Sequence, residues 1–251
     1  MRVDIGVRLK DGEINVAHFV LVPGFWLGSW AWDDVARPLR DAGHTVTAVT
    51  LPGLESRDVD RSTITLADHV AAVAHIVEAS SDAVILVAHS GAGVVVSAVV
   101  DEIPENVAVA VYADSGPLPD GLAINGDLSP EAAEVPLPSW AGFRADGTSL
   151  DGLDDELLAR FAAGALPHPA GPVREALALT NPARFDVPIV LIASSFSAAQ
   201  IRELAAQGMP YFAEVPKFEQ VTIVELPTGH WPMFSRPDDL AVELEKVAAA
   251  V

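Results

Sequence analysis

Short β-branched runs alternate with longer amphipathic segments along most of this chain, and that alternation limits the fold more than any other feature. The stretches "HFVLV" (18–22), "HTVTAVTL" (44–51), "DAVILVAH" (82–89), "VAVAVYAD" (107–114), "VPIVLIAS" (187–194) and "VTIVEL" (221–226) read as strands. Between and after them, "SWAWDDVARPLRDAG" (29–43), "TLADHVAAVAHIVEAS" (65–80, with Thr65 as N-cap), "GAGVVVSAVVDEI" (91–103), "SAAQIRELAAQG" (197–208) and "PDDLAVELEKVAAAV" (237–251) read as helices. Apolar strands separated by helices predict an α/β fold, a mostly parallel central sheet with helices on both faces. From 116 to 185 the alternation breaks into Pro, Gly and acidic clusters such as "DGLDDE" (151–156), with one or two short helical candidates. The expected organisation is therefore a core of residues 1–115 and 186–251 carrying an insertion at 116–185.

Composition narrows the function classes. A chain of 251 residues is long enough for one substantial core. With 15 Lys and Arg against 35 Asp and Glu, the formal net charge is −20. That balance argues against nucleic acid and against anionic membrane surfaces, both of which require clustered Lys and Arg. Cysteine is absent, which removes disulfides, thiolate nucleophiles and Cys-ligated zinc. No His, Asp and Glu pattern has metal-ligand spacing, and no dinucleotide or Walker motif occurs; neither a metal nor a cofactor is expected. The opening "MRVDIGVRLKDGEI" lacks the apolar core of a signal peptide. No apolar run reaches the roughly 18 residues of a membrane span. The expectation is a soluble, cytoplasmic protein, with monomer and homodimer both open.

In open α/β sheets, ligands bind beyond the carboxyl ends of the strands. Gly24, Ser90, Asp114, the serines at 194–197 and the loop holding His230 all fall at such ends. In "VAHSGAG" (87–93) Ser90 follows a strand, precedes a glycine-opened helix, and has Ala88 and Ala92 two places either side. Small residues at those positions leave room for the sharp strand-to-helix turn that exposes a nucleophilic hydroxyl. Such a hydroxyl needs a base to take its proton, a group to orient the base, and donors for the developing oxyanion.

On these residues the chain resembles the α/β-hydrolase family over nearly its whole length. "VLVPGFWLGSWAWDDVARPLRDAGHTVTAVTLPGLESR" (20–57) is similar to the family's oxyanion loop, first helix and next strand, in the Trp-rich form of plant esterases and hydroxynitrile lyases. "VAHSGAG" resembles its nucleophile elbow, and "LPTGHWPMFSRPDDLAVEL" (226–244) its histidine loop and final helix. The resemblance implies Ser90 as nucleophile, His230 as general base, and the N–H groups of Phe25 and Gly91 as oxyanion donors. Many relatives carry His-Gly where this chain has Pro23-Gly24, a change that leaves the Phe25 amide available. The acid departs further from the pattern. The family usually places it after the strand at 187–192, but "ASSFSAAQ" (193–200) holds no carboxylate. Some members carry it one strand earlier, which implies Asp114 here. Asp120 and a dyad without an acid remain alternatives, and Asp114 can also serve as the cap of a turn.

By the same resemblance the 116–185 insertion corresponds to a cap over the site. Trp26, Trp30, Trp140, Phe143, Trp231 and Met233 are the candidates for an apolar substrate pocket. The expected function is a cofactor-free serine hydrolase acting on a carboxylic ester or lactone of a small, fairly apolar molecule. Two further readings stay open: proton abstraction on the same fold, as in hydroxynitrile lyases and cofactor-independent dioxygenases, and a ligand-binding protein with a degenerate triad. The lyase reading calls for a lysine near the site, and the nearest in sequence is Lys217.

Overall fold

The computed structural model describes residues 16–251; the opening stretch read above for a targeting signal lies outside them. Six parallel strands form the central sheet: β1 (Ala17–Val22), β2 (Thr45–Ala48), β3 (Ala83–His89), β4 (Val107–Ala113), β7 (Ile189–Ala193) and β8 (Val221–Glu225). Their spatial order is β2-β1-β3-β4-β7-β8. The chain first steps from β1 to β2, then crosses back to place β3 on the other side of β1, with Val20 opposite both Thr47 and Leu86. Strand order reverses between β1 and β3, which opens a crevice beyond their carboxyl ends.

Alternation along β1 divides the core into two layers. Phe19 and Leu21 pack with Val35 and Leu39 of α1 (Asp33–Asp41) and with Leu240 and Leu244 of α9 (Pro237–Ala248). Val20 and Val22 face the other way, into a cluster that also holds buried residues of α2 (Leu66–Glu78), α3 (Gly93–Glu102) and α7 (Ala198–Ala206). A helix rich in valine has little intrinsic preference to form, so α3 draws its stability from burial: Val94, Val95, Val96, Val99 and Val100 are all buried. The Thr65 side chain accepts from the Asp68 N–H and Asp68 reaches back, a reciprocal cap that sets where α2 begins.

Strand and helix boundaries differ from the sequence expectation mainly at their ends. Edge strand β2 is only four residues long and stops at Ala48, short of the expected end at Leu51. The 29–43 segment opens with a 3₁₀ turn (Ser29–Trp32) before α1. Residues 116–185 hold more order than their sequence suggests: helices α4 (Trp140–Ala145), α5 (Asp155–Gly164) and α6 (Gly171–Arg174), and a two-residue antiparallel pairing of β5 (Glu134–Val135) with β6 (His168–Pro169). A short helix α8 (Pro232–Ser235) precedes α9. Among the described residues no helix is long and apolar enough to cross a membrane.

Candidate active site

Three non-glycine residues in the described chain have positive φ, and all three lie at the carboxyl rim of the sheet: Trp26 (φ 67), Ser90 (φ 51) and Asp114 (φ 46). Side chains other than Gly enter this region at a cost, so such residues persist only where their surroundings hold them. Ser90 sits directly after β3. Ala88 and Ala92 are buried on either side of it, as the small-residue pattern requires. Two glycines complete the steric frame. A Cβ on Gly24 would lie 2.7 Å from the His89 ring and 3.0 Å from Ser90 Cβ, and one on Gly91 would lie 2.5 Å from the Phe25 ring. The Ser115 hydroxyl donates to the Ser90 carbonyl at 2.7 Å.

From this turn Ser90 Oγ reaches His230 Nε2 at 2.6 Å, and His230 Nδ1 lies 2.5 Å from Asp114 Oδ2. A carboxylate partner assigns the proton to Nδ1, which leaves Nε2 free to accept from the Ser90 hydroxyl. His230 is held through its backbone. Its N–H donates to Ser149 O at 2.9 Å, its neighbour Gly229 donates to Asp151 O at 3.0 Å, and its carbonyl accepts from His89 Nε2 at 2.7 Å. His89 is fully buried; burial first, and then the nearby His230, push its imidazole down to about 3, so it works as a neutral donor.

Asp114 follows β4, and its N–H bonds to Ile192 O of β7 at 3.0 Å. Its side chain is 2% exposed. The carboxylate accepts three bonds: His230 Nδ1 and the Ser195 hydroxyl (2.7 Å) on Oδ2, and the Ser195 N–H (2.7 Å) on Oδ1. Burial works against its ionisation, but the bonds from His230 and Ser195 outweigh it and hold the carboxyl below its ordinary value. Asp120 lies elsewhere, accepting from the Leu179 N–H. Lys217 is paired with Glu214.

Phe25 lies in the loop that follows β1, and Gly91 follows Ser90 in the chain. The loop from Gly24 to Leu27 closes with Leu27 N–H on Gly24 O at 3.3 Å, and among the described residues no backbone carbonyl takes the Phe25 N–H. Gly91 lies in the first turn of a 3₁₀ segment (Ser90–Ala92), where helical geometry offers its N–H no acceptor. With the Phe25 ring packed over Gly91, the two residues lie side by side.

The expected pocket aromatics form one contiguous cluster. Phe143 meets Trp26 (5.4 Å between ring centroids) and Trp231 (5.2 Å), Trp140 stacks on Phe143 (6.0 Å), Trp30 stacks on Phe234 (5.6 Å), and Trp231 edges onto His230 (4.8 Å). Within it, Trp26, Trp30 and Trp140 keep partial exposure, whereas Phe143 and Trp231 are buried and Met233 has no exposed surface. Phe143, Trp231 and Met233 are thus packing residues here. Sequence reasoning missed Ser195, the Ser115 bond and the Ser149–Asp151 turn. It also passed over His168, which is fully buried 4.2 Å (centroid to centroid) from the Phe25 ring with neither nitrogen hydrogen-bonded. The only signal for Ser195 was its place at the end of β7, beside two other serines.

Similarity to known proteins agrees with this fold. An alpha/beta hydrolase family model matches residues 19–244. The chain is 31% identical over 250 residues to a carbendazim hydrolyzing esterase from Nocardioides sp. (strain SG-4G), covering 93% of this chain and 99% of that protein. Among solved structures, a methylesterase from Arabidopsis superposes with a TM-score of 0.71 at 20% identity, over 94% of this chain and 100% of that one. A pyrethroid hydrolase from Sphingobium faniae JZ-2 superposes with a TM-score of 0.68 at 19% identity, over 94% and 98% respectively. At such identities the two superpositions speak for the fold alone.

Proposed function

This chain belongs to the alpha/beta hydrolase family, and from that premise we propose that it is an esterase working through an acyl-enzyme on Ser90. The observation that carries the reading is the unbroken line of contacts Asp114–His230–Ser90, at 2.5 and 2.6 Å. His230 Nε2 takes the Ser90 proton as Oγ attacks the ester carbonyl. Negative charge moves to the carbonyl oxygen, which the Phe25 and Gly91 N–H groups stabilise. Asp114 holds the imidazolium that forms. His230 then hands its proton to the departing alkoxide, which leaves as an alcohol. Water attacks the acyl carbon, gives its proton to His230, and the acid departs with Ser90 restored.

Half-buried Trp26, Trp30 and Trp140 beside the His230 loop favour an uncharged, fairly apolar ester or lactone. The 116–185 segment, which contributes Trp140 and the Ser149–Asp151 turn, is the cap of this reading. The esterases and hydrolases named above support ester cleavage. A degenerate, ligand-binding site is disfavoured because Asp114 stands where the missing acid of 193–200 would act, and Lys217 is paired away from the site that a lyase would need it in.

Intact-mass labelling with a fluorophosphonate tests the assignment. One adduct is expected on the wild-type chain, none on Ser90→Ala, and strongly slowed labelling on His230→Ala and Asp114→Asn. A Ser90→Ala chain that still takes up the probe, or still cleaves p-nitrophenyl acetate at the wild-type rate, would overturn it.

A further inference from the structure

Ser195 is the residue at the rim of the sheet whose contacts most exceed a bland role. The stretch 194–197 contains three serines with three different fates. Ser194 Oγ is buried without a partner. Ser197 caps α7, accepting from the Gln200 N–H. Ser195 alone turns toward Asp114, and it does so twice, with its N–H on Oδ1 and its hydroxyl on Oδ2, both at 2.7 Å. A carboxylate bound only to His230 would be free to swing about its last torsion, which has broad preferences. Two donors from one residue, one on each oxygen, remove that freedom. Adjacency makes the grip possible: β4 and β7 run in parallel with Ala113 opposite Ile192, so the residues just past the two strand ends face each other.

We propose that Ser195 is a positioning residue of the relay, fixing the plane of the Asp114 carboxylate so that His230 presents Nε2 to Ser90. The inference rests on the esterase reading above. Asp114 Oδ2 is shared by Ser195 Oγ and His230 Nδ1, so the hydroxyl acts on the imidazole only through the carboxylate. His230, and His89 behind it, are the titratable groups that face this carboxylate.

The test is a kinetic cycle on p-nitrophenyl acetate with Ser195→Ala, Ser195→Thr, Asp114→Asn and the Ser195→Ala/Asp114→Asn double variant. Ser195→Ala should lower kcat about 10- to 100-fold, the range of a hydrogen bond to a charged group, with little change in KM. Ser195→Thr, which keeps a hydroxyl, should recover most of the rate. On the Asp114→Asn background the alanine change should cost almost nothing further. An unchanged kcat in Ser195→Ala, a threonine variant as slow as the alanine one, or an undiminished cost on the Asp114→Asn background would each overturn the proposal. The esterase reading fails differently, through a Ser90→Ala or Asp114→Asn chain that keeps its full rate.

Discussion

The two sides of the site are held by different physics. Around Ser90 the geometry is set by exclusion: Gly24 and Gly91 stand where a methyl group would meet the His89 or Phe25 ring, and Ala88 and Ala92 are buried on either side. Around Asp114 it is set by attraction: three hydrogen bonds converge on one carboxylate whose side chain is 2% exposed. Exclusion is distributed over many atoms and tolerates the loss of any single bond. Attraction is concentrated in a few donors, so each of them counts.

That contrast can be broken at several points. The largest effect belongs to Asp114→Asn, which keeps the shape but lets the amide favour the wrong tautomer of His230. A loss of about 10⁴-fold in kcat is expected, as for the comparable change in a serine protease, with little change in denaturant midpoint. A rate within tenfold of wild type would mean that the carboxylate does not serve the histidine. Next comes Gly24→Ala, an overpacking change whose cost should reach about 3 kcal/mol in urea unfolding. An unfolding curve that does not move would show that the elbow is looser than the distances indicate.

Third is acid sensitivity. His89 is held down to about 3 and His168 well below its ordinary value, in both cases chiefly by burial. As pH falls below 6.5 the unfolded chain takes up protons that these folded rings refuse, so stability falls with pH. Each ring that stays neutral should account for about 2 kcal/mol between pH 6.5 and 5. His168→Phe loses no hydrogen bond, since neither nitrogen has a partner; it should flatten the pH dependence by about that amount, and an unaltered slope would refute the linkage. The smallest effect is expected from Ser115→Ala. It removes the 2.7 Å bond to the Ser90 carbonyl, at about 1 kcal/mol of stability, and kcat should stay within a few-fold because packing still holds the turn. A loss as large as that of Ser195→Ala would erase the distinction between the two sides.

The same distinction explains what was legible in the sequence. Strands β1, β3, β4, β7 and β8 and helices α2, α3, α7 and α9 follow from apolar period and caps, with shifts of a residue or a few at their ends. The pairing of Glu134–Val135 with His168–Pro169 is too short to have a period. Ser90 announces itself because steric exclusion selects residue types: only small neighbours fit, and "VAHSGAG" displays them. Ser195 does not, because a hydrogen-bond donor can be any serine, and three lie within four positions of one another. Positive φ at Trp26 and Asp114 was invisible for a related reason, since tertiary contacts impose it on residues with no local preference for it. The aromatic positions named from the sequence lie in one cluster beside His230. The inward packing of Trp231 and Met233 depends on α8, a four-residue helix too short to be resolved from pattern.

The turn at Ser149–Asp151 has a consequence for anyone who would graft new specificity onto this scaffold. It lies in the middle of the 116–185 segment, yet its carbonyls receive the Gly229 and His230 N–H groups. Exchanging the whole segment for that of a relative would therefore replace part of the histidine's mounting along with the walls around the ester. The practical unit of recombination is two pieces, on either side of 149–151, with the turn itself left native.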